Sequence, residues 1–216
     1  VKVGDKVSKG QVIASSEAFV SAPVHSSVSG TVKKLETHLV TANTEVPCIA
    51  IQIDEENREE FMPALDPFVL DKQEAIKRIK EAGITGMGGA SFPTHVKLSP
   101  PPDAKIEYVI ANGAECEPYL CIDAATMYFH AKEIVDGLSI VMKIENCPKG
   151  IIAIEANKKD LLPILNDAIA SSSAPNKDGI SVVICKTKYP QGGEKTLVQA
   201  VTGRQIPSGG LPFQIG

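Results

Sequence analysis

From residue 73 onward, helical and strand patterns alternate, and this alternation limits the fold more than any single motif does. Residues 72–82 place Ala75, Ile76, Ile79 and Ala82 at helical spacing. Residues 108–111 are a short apolar strand running directly into Asn112. Residues 123 to about 144 are predicted as one long helix with Asp123 as its N-cap. A strand at 150–155, a helix at 158–170, a strand at 180–186 and a helix at 194–201 follow. Strands separated by helices predict a parallel α/β sheet, which binds ligands beyond the carboxyl ends of its strands. Segments 112–119 and 188–194 both leave strands at that edge, so one shared site is expected there.

The first 54 residues follow a different rule. Short runs rich in β-branched residues (11–14, 30–35, 48–53) are separated by turn residues such as Gly4-Asp5 and Ser29-Gly30, which predicts an all-β segment. Residues 55–72 turn acidic and carry Pro63 and Pro67, the composition of an exposed linker with a solvated charge run. The expected domains are therefore 1–54, a linker at 55–72, and an α/β domain at 73–216. The phrases V-K-V-G-D-K-V-S-K-G-Q-V-I-A and S-A-P-V-H-S-S-V-S-G-T-V resemble biotinyl/lipoyl-type barrel-sandwich domains. Carrier members of that class hold a modified lysine on the hairpin between the halves. Here that hairpin reads S-S-E-A-F-V-S-A-P, without lysine, so the segment is expected to be structural.

A hydrophobic fraction of 43% and a charged fraction of 22% are those of a globular protein with a sizeable core. The net charge of −4 gives no reason to expect nucleic acid as a partner. No apolar run approaches the roughly 20 residues of a membrane helix, so no direct membrane insertion is expected. The cysteines, Cys48, Cys116, Cys121, Cys147 and Cys185, offer no C-x-x-C pair and hence no standard metal or cluster ligation pattern. They are expected to be reduced and mostly buried. Glu115 and Glu117 beside Cys116 would raise its thiol pKa rather than activate it.

Three runs carry the chemistry. The first, 83–97, reads G-I-T-G-M-G-G-A-S-F-P-T-H-V-K, with four glycines in seven residues and then Lys97. Glycine lets backbone approach a ligand closely, and exposed N–H groups beside a lysine suit a phosphate. A helix precedes these glycines, so the ordinary dinucleotide fingerprint does not apply, and no Gly-Lys-Ser/Thr follows for a Walker loop. A glycine-rich phosphate or flavin loop of another type remains, beside the simpler reading of a structural turn. The second run, N-G-A-E-C-E-P-Y at 112–119, sets Glu115 and Glu117 just past a strand, facing water or accepting hydrogen bonds from hydroxyl or carboxamide groups of a ligand. The third, K-Y-P-Q-G-G-E-K-T-L at 188–197, leads from a strand through Gly192-Gly193 to the helix carrying Glu194.

Taken in order, these runs closely resemble the RnfC family, a component of the bacterial Rnf complex, which couples ferredoxin and NAD redox chemistry to ion transport. They resemble more distantly the NADH- and flavin-binding subunit of respiratory complex I. The resemblance implies a barrel-sandwich segment followed by a Rossmann-like parallel α/β FMN-binding domain of the complex I flavin-subunit type. It implies that Gly86, Gly88, Gly89 and Lys97 hold the phosphate of FMN and that Asn112 and Glu115 meet its ring or ribityl chain. It also implies that Phe92 stacks on the NAD adenine, with Glu117, Tyr189 and Glu194 around the nicotinamide. No residue acts as a covalent nucleophile, and no metal is expected within 1–216. The family's 4Fe-4S clusters belong to ferredoxin-like repeats further along, outside this chain. Partners would be the other Rnf subunits, NAD(H) and, indirectly, ferredoxin, at the cytoplasmic face of the membrane through those subunits. Departures from the complex I pattern fall at Thr85, Met87, Ala114 and Gly193. Three alternatives share some of these features: a paralogue serving a soluble reductase, a redox adaptor that has lost its flavin, and a biotinyl carrier.

Overall fold

A computed structural model describes residues 1–40, 43–87 and 91–216. Contacts divide the chain into two compact units, Val1–Asp66 with Gln73–Ser99, and Pro67–Lys72 with Pro100–Gly216.

In the first unit, strands β1 (Lys6–Val7), β4 (Gly30–Val40) and β5 (Thr44–Ile53) form an antiparallel sheet in the order β1-β4-β5. Strands β2 (Val12–Ala14) and β3 (Val24–His25) pair separately. Val7, Ile13 and Val32 are the buried centre, with Ile49 and Ile51 packed on them. The β4–β5 pairing runs from Gly30↔Ile53 to Val40↔Thr44, longer than expected from 30–35 and 48–53, with one register shift after Val32. The polar stretch of β4 hides this extension, because its outer half is exposed and lacks the apolar alternation that marks a strand. Residues after Asp54 fold back on the barrel. Lys9 N–H donates to Arg58 O at 2.9 Å, and Glu60 N–H donates to Lys9 O at 2.8 Å. The Asp54 carboxylate takes the Ser29 hydroxyl and the Arg58 guanidinium, both at 2.8 Å, which hold its pKa below the ordinary value.

Helix α1 (Lys72–Glu81) ends at Gly83, whose φ of +66° is the left-handed conformation that glycine adopts at low cost after a helix. Gly83 N–H donates to Lys80 O at 2.9 Å, and Ile84 N–H donates to Ile79 O at 3.3 Å, closing the last carbonyls. The first glycine of the 83–97 run is therefore a helix stop. A short helix α2 (Thr94–Lys97) closes the run.

The second unit is the parallel α/β fold that the alternation predicts. Strands β6 (Val109–Gly113), β7 (Gly150–Glu155) and β8 (Ile180–Cys185) pair in parallel in the order β6-β7-β8. Every residue of β7 is buried, as expected of a central strand covered on both faces. Its alternate residues serve different cores. Ile152 and Ile154 pack with Val135, Leu138, Met142 and Leu165, whereas Ile151 and Ala153 pack with Cys185 and Leu197.

The long helix expected from residue 123 is two helices, α3 (Ile122–Phe129) and α4 (Ala131–Ile144), divided at His130 with φ −129° and ψ 31°. The apolar spacing Met127, Ala131, Val135, Leu138, Met142 continues through the break, so periodicity alone reads as one helix. The N-cap position is Cys121, not Asp123. Helix α5 (Leu162–Ser171) begins later than the predicted 158, because Ala156–Leu161 forms a 3-10 segment and Pro163 suits the first turn of an α-helix. Helix α6 (Glu194–Thr202) ends at left-handed Gly203. The cysteines are free thiols, but only Cys147 and Cys185 are buried as expected, and Cys121 is exposed.

Leu165 is fully buried between α5 and the sheet. Leu165→Ala is expected to cost roughly 2–5 kcal/mol, read as a lower denaturant midpoint at unchanged slope.

Candidate functional site

The carboxyl ends of β6 and β7 and the segment after β8 surround a cavity of about 340 Å³, lined among others by Glu117, Tyr119, Glu155, Lys158, Lys188 and Tyr189. Glu115 lies at its base, 8% exposed. Its two carboxylate oxygens accept the N–H of Asp123 at 3.0 Å and of Ala124 at 3.4 Å, the second and third residues of α3. Those are the amides an N-cap side chain usually serves, so a carboxylate from a distant loop takes the role that Cys121 leaves open. The Lys158 ammonium lies 3.7 Å from Glu115 Oε2 and compensates its buried charge. Asp123, beside this group, has its carboxyl pKa raised by burial first and by the Glu115 charge second.

Other bonds tie the loops together. Asn112 Nδ2 donates to Gly192 O at 2.9 Å, while Asn112 Oδ1 accepts Ala114 N–H at 3.1 Å. Gly192 N–H donates to Cys116 Sγ at 3.3 Å. A Cβ on Gly192 would stand 2.1 Å from Ala114 O, so this contact requires glycine. Glu155, 1% exposed at the last position of β7, accepts Lys188 N–H at 3.2 Å, and Thr187 Oγ1 accepts Asn157 N–H at 3.1 Å. Burial, more than the neighbouring Glu117, pushes the Cys116 thiol above its ordinary pKa. It is therefore a protonated thiol at neutral pH, consistent with the expected direction.

The predicted site residues fall into two groups in different units. Asn112, Glu115, Glu117, Tyr189 and Glu194 gather at the carboxyl edge of the parallel sheet. Asn112 and Glu115 spend their polar atoms on the protein's own backbone, whereas Glu117, Tyr189 and Glu194 are exposed. In the first unit, Gly86 and Phe92 share one loop, closed by the Thr85↔Pro93 bridge and by Gly86 N–H donating to Phe92 O at 2.9 Å, and Lys97 ends the short helix α2 that follows it. Lys97 Nζ stands 3.6 Å from where a Gly86 Cβ would be. Met87 is fully exposed. Gly88 and Gly89 lie outside the described residues.

Sequence reasoning assigned no role to Glu155, Asn157 or Lys158. A usable signal was present: a carboxylate closes the apolar run I-I-A-I-E and leads into A-N-K-K. A charge at the end of a strand buried on both faces demands a partner.

This arrangement defines a parallel α/β domain with its polar cavity at the switch from strands to loops, as in flavin- and dinucleotide-handling proteins. A family profile described as the Nuo51 FMN-binding domain matches residues 79–216, and one described as the RnfC barrel sandwich hybrid domain matches residues 1–56. The chain belongs to the Nuo51 FMN-binding domain family, with the RnfC barrel-sandwich segment at its N-terminal side. It is 42% identical, over its whole length, to the C subunit of the proton-translocating ferredoxin:NAD(+) oxidoreductase complex of Clostridium ljungdahlii, covering 46% of that protein. It is 42% identical to the Na(+)-translocating counterpart of Acetobacterium woodii, covering 48% of it. It is also 37% identical to the C subunit of the ion-translocating oxidoreductase complex of Pseudomonas aeruginosa, covering 28%. The chain thus spans about half the length of the first two relatives. Among solved structures, an NAD+-reducing NiFe hydrogenase in the H2-reduced state superposes with a TM-score of 0.54 at 23% identity, over 64% of this chain and 25% of that one. At that identity the likeness speaks for the fold, which is the α/β architecture expected from the sequence.

Removing the Glu115 side chain leaves the α3 amides uncapped and Lys158 unpaired. Glu115→Ala is expected to cost about 3 kcal/mol, against about 0.5 kcal/mol or less for exposed Glu117→Ala, both measured by denaturant unfolding. The raised Asp123 pKa means that ionising this group in the folded state works against stability at neutral pH. Its contribution is favourable below the unfolded value of 3.8 and is lost as pH rises through the higher folded value. Asp123→Asn should therefore gain stability relative to the parent at pH 7, and the gap should close as unfolding is measured at pH values falling towards 3.8.

Proposed function

We propose that this chain is the flavin- and dinucleotide-binding part of an Rnf-type ferredoxin:NAD oxidoreductase and exchanges a hydride between NAD(H) and FMN. The observation that carries the reading is the family match over residues 79–216, which includes both the glycine loop and the sheet edge.

The residues of the glycine loop fit the phosphate end of FMN. Among the described residues the Lys97 ammonium has no ion-pair or hydrogen-bond partner, and the absence of a side chain on Gly86 leaves the space beside it open. A free cation over open backbone is what a phosphate requires. In this reading the family resemblance also assigns Gly88 and Gly89 to that phosphate, and Phe92 is the exposed ring of the loop. At the sheet edge, Glu117 and Glu194 offer acceptors to ribose hydroxyls or a carboxamide, and Tyr189 offers a ring face. Asn112 and Glu115 orient the loop that carries Glu117. Bound FMN would supply the conversion between two-electron hydride chemistry and one-electron transfer. The protein's part is to bind and orient these groups and to supply fixed charges.

Onward one-electron transfer, ferredoxin and the coupled ion belong in this proposal to the rest of the relatives' length and to partner subunits. No helix among the described residues is long and apolar enough to cross a membrane, so attachment to the cytoplasmic face is proposed through those subunits. A second reading, an adaptor without flavin, is favoured by the commitment of Asn112 and Glu115 to internal hydrogen bonds.

Calorimetric titration with FMN separates the two. The proposal expects saturable binding that Lys97→Ala weakens about 10- to 100-fold, the worth of one charge-assisted contact, while Lys188→Ala leaves it unchanged. Absence of heat with the parent chain selects the adaptor.

A further inference from the structure

Helix α3 is apolar on two opposite sides. Its inward side belongs to the core built on Ile152 and Ile154, through Met127, 3% exposed, and the partly buried Ala124. At 3.6 residues per turn, Ile122, Ala125, Tyr128 and Phe129 fall within one arc of about 120° on the other side. All four are exposed, Ile122 at 70%, Tyr128 at 57% and Phe129 at 72%. The Tyr128 and Phe129 rings meet edge to face with centroids 4.9 Å apart, so the two largest members form one surface.

A surface helix normally turns an apolar stripe to the core and polar residues to water. In α3 the outward side repeats the apolar stripe, and the polar Asp123 and Thr126 are confined to one flank. Single exposed apolar side chains are ordinary, whereas a contiguous set marks a contact surface. The stripe also lies close to the cavity. Leu120, just ahead of α3 and itself 55% exposed, is part of the cavity lining, and the Glu115 carboxylate fixes the first turn of the helix.

Size decides what covers the stripe. One face of an eight-residue helix falls well short of the roughly 800 Å² that each partner gives up in a stable free-standing complex. A second copy seated on this stripe alone is therefore disfavoured. A layer tethered in the same polypeptide needs far less area, because the tether supplies its effective concentration. The family has polypeptide to provide one: more than half of each of the Clostridium ljungdahlii and Acetobacterium woodii relatives lies outside the match.

We infer that the outer stripe of α3 is an intrachain interface, covered in the longer relatives by an apolar face of the polypeptide outside the match. In the proposed function that polypeptide carries the one-electron steps, and α3 seats it beside the cavity. The seat is argued from the helix and the relatives' lengths, so it stands apart from the flavin assignment.

The test is the rate at which N-ethylmaleimide alkylates a cysteine at position 125, read by peptide mass spectrometry without added flavin or dinucleotide. Two proteins are compared: the 216-residue chain carrying Ala125→Cys, and the full-length Clostridium ljungdahlii subunit with cysteine at the aligned position. Asn166→Cys, exposed on α5, and its aligned counterpart are the controls. In the 216-residue chain Ala125→Cys should react within about twofold of Asn166→Cys, as two open positions do. In the full-length subunit the stripe cysteine should react roughly tenfold or more slowly than its control, since a covered position labels only through local opening. Hydrogen exchange of the α3 amides in the unsubstituted proteins reads the same difference without a substitution. Equal rates at the two positions of the full-length subunit overturn the interface. So does sedimentation that finds the 216-residue chain dimeric and Phe129→Lys monomeric, which assigns the stripe to a second copy. A failed FMN titration leaves these rates as they are, so the flavin reading and the interface fall separately.

Discussion

One buried carboxylate organises the carboxyl edge of the parallel sheet. Glu115 leaves the end of β6, caps the first amides of α3 and holds the Lys158 ammonium that follows β7. Without that charge, the loop after β6 would lose its tie to α3, and α3 would begin with unpaired N–H groups. Each of these groups answers a cost that another creates. The helix amides and the lysine offset the desolvation of the carboxylate, and the carboxylate satisfies both. Asn112 and Glu155 extend the same logic to the loops beyond, through Gly192 and the Lys188 amide. The exposed groups Glu117, Tyr119 and Tyr189 then stand on a rigid frame.

Such a frame is what a cofactor site needs. Its groups must be held by packing and hydrogen bonds rather than by the ligand itself. Residues carried over from family resemblance therefore divide by physical role. Those with polar atoms spent on the backbone shape the loops, and those facing the cavity are left for a ligand. The glycine run divides in the same way. Gly83 stops a helix, whereas Gly86 gives clearance beside a lysine that has no partner among the described residues.

The α/β architecture was legible in the sequence because each strand from 150 onward is a short apolar run set between helical periods. The division of the predicted long helix at His130 was not, since its apolar spacing runs on unbroken through the break. The outer half of the β4–β5 hairpin was hidden for the opposite reason: pairing between strands, not burial, sustains it. The three glycine-containing runs were visible as motifs. That Glu115 caps a helix eight residues away, or that Lys158 neutralises it, depends on how the β6 and β7 loops meet, and no local pattern records that. Glu155 was the partial exception, as a charge at the end of an otherwise apolar strand.

The proposed hydride exchange between NAD(H) and a flavin held by this chain is read most directly in the anaerobic visible spectrum of the purified, FMN-loaded protein before and after NADH is added. Protein-bound flavin should absorb near its usual visible bands, and NADH should bleach that absorption stoichiometrically. A bound flavin whose spectrum NADH leaves unchanged would contradict that exchange.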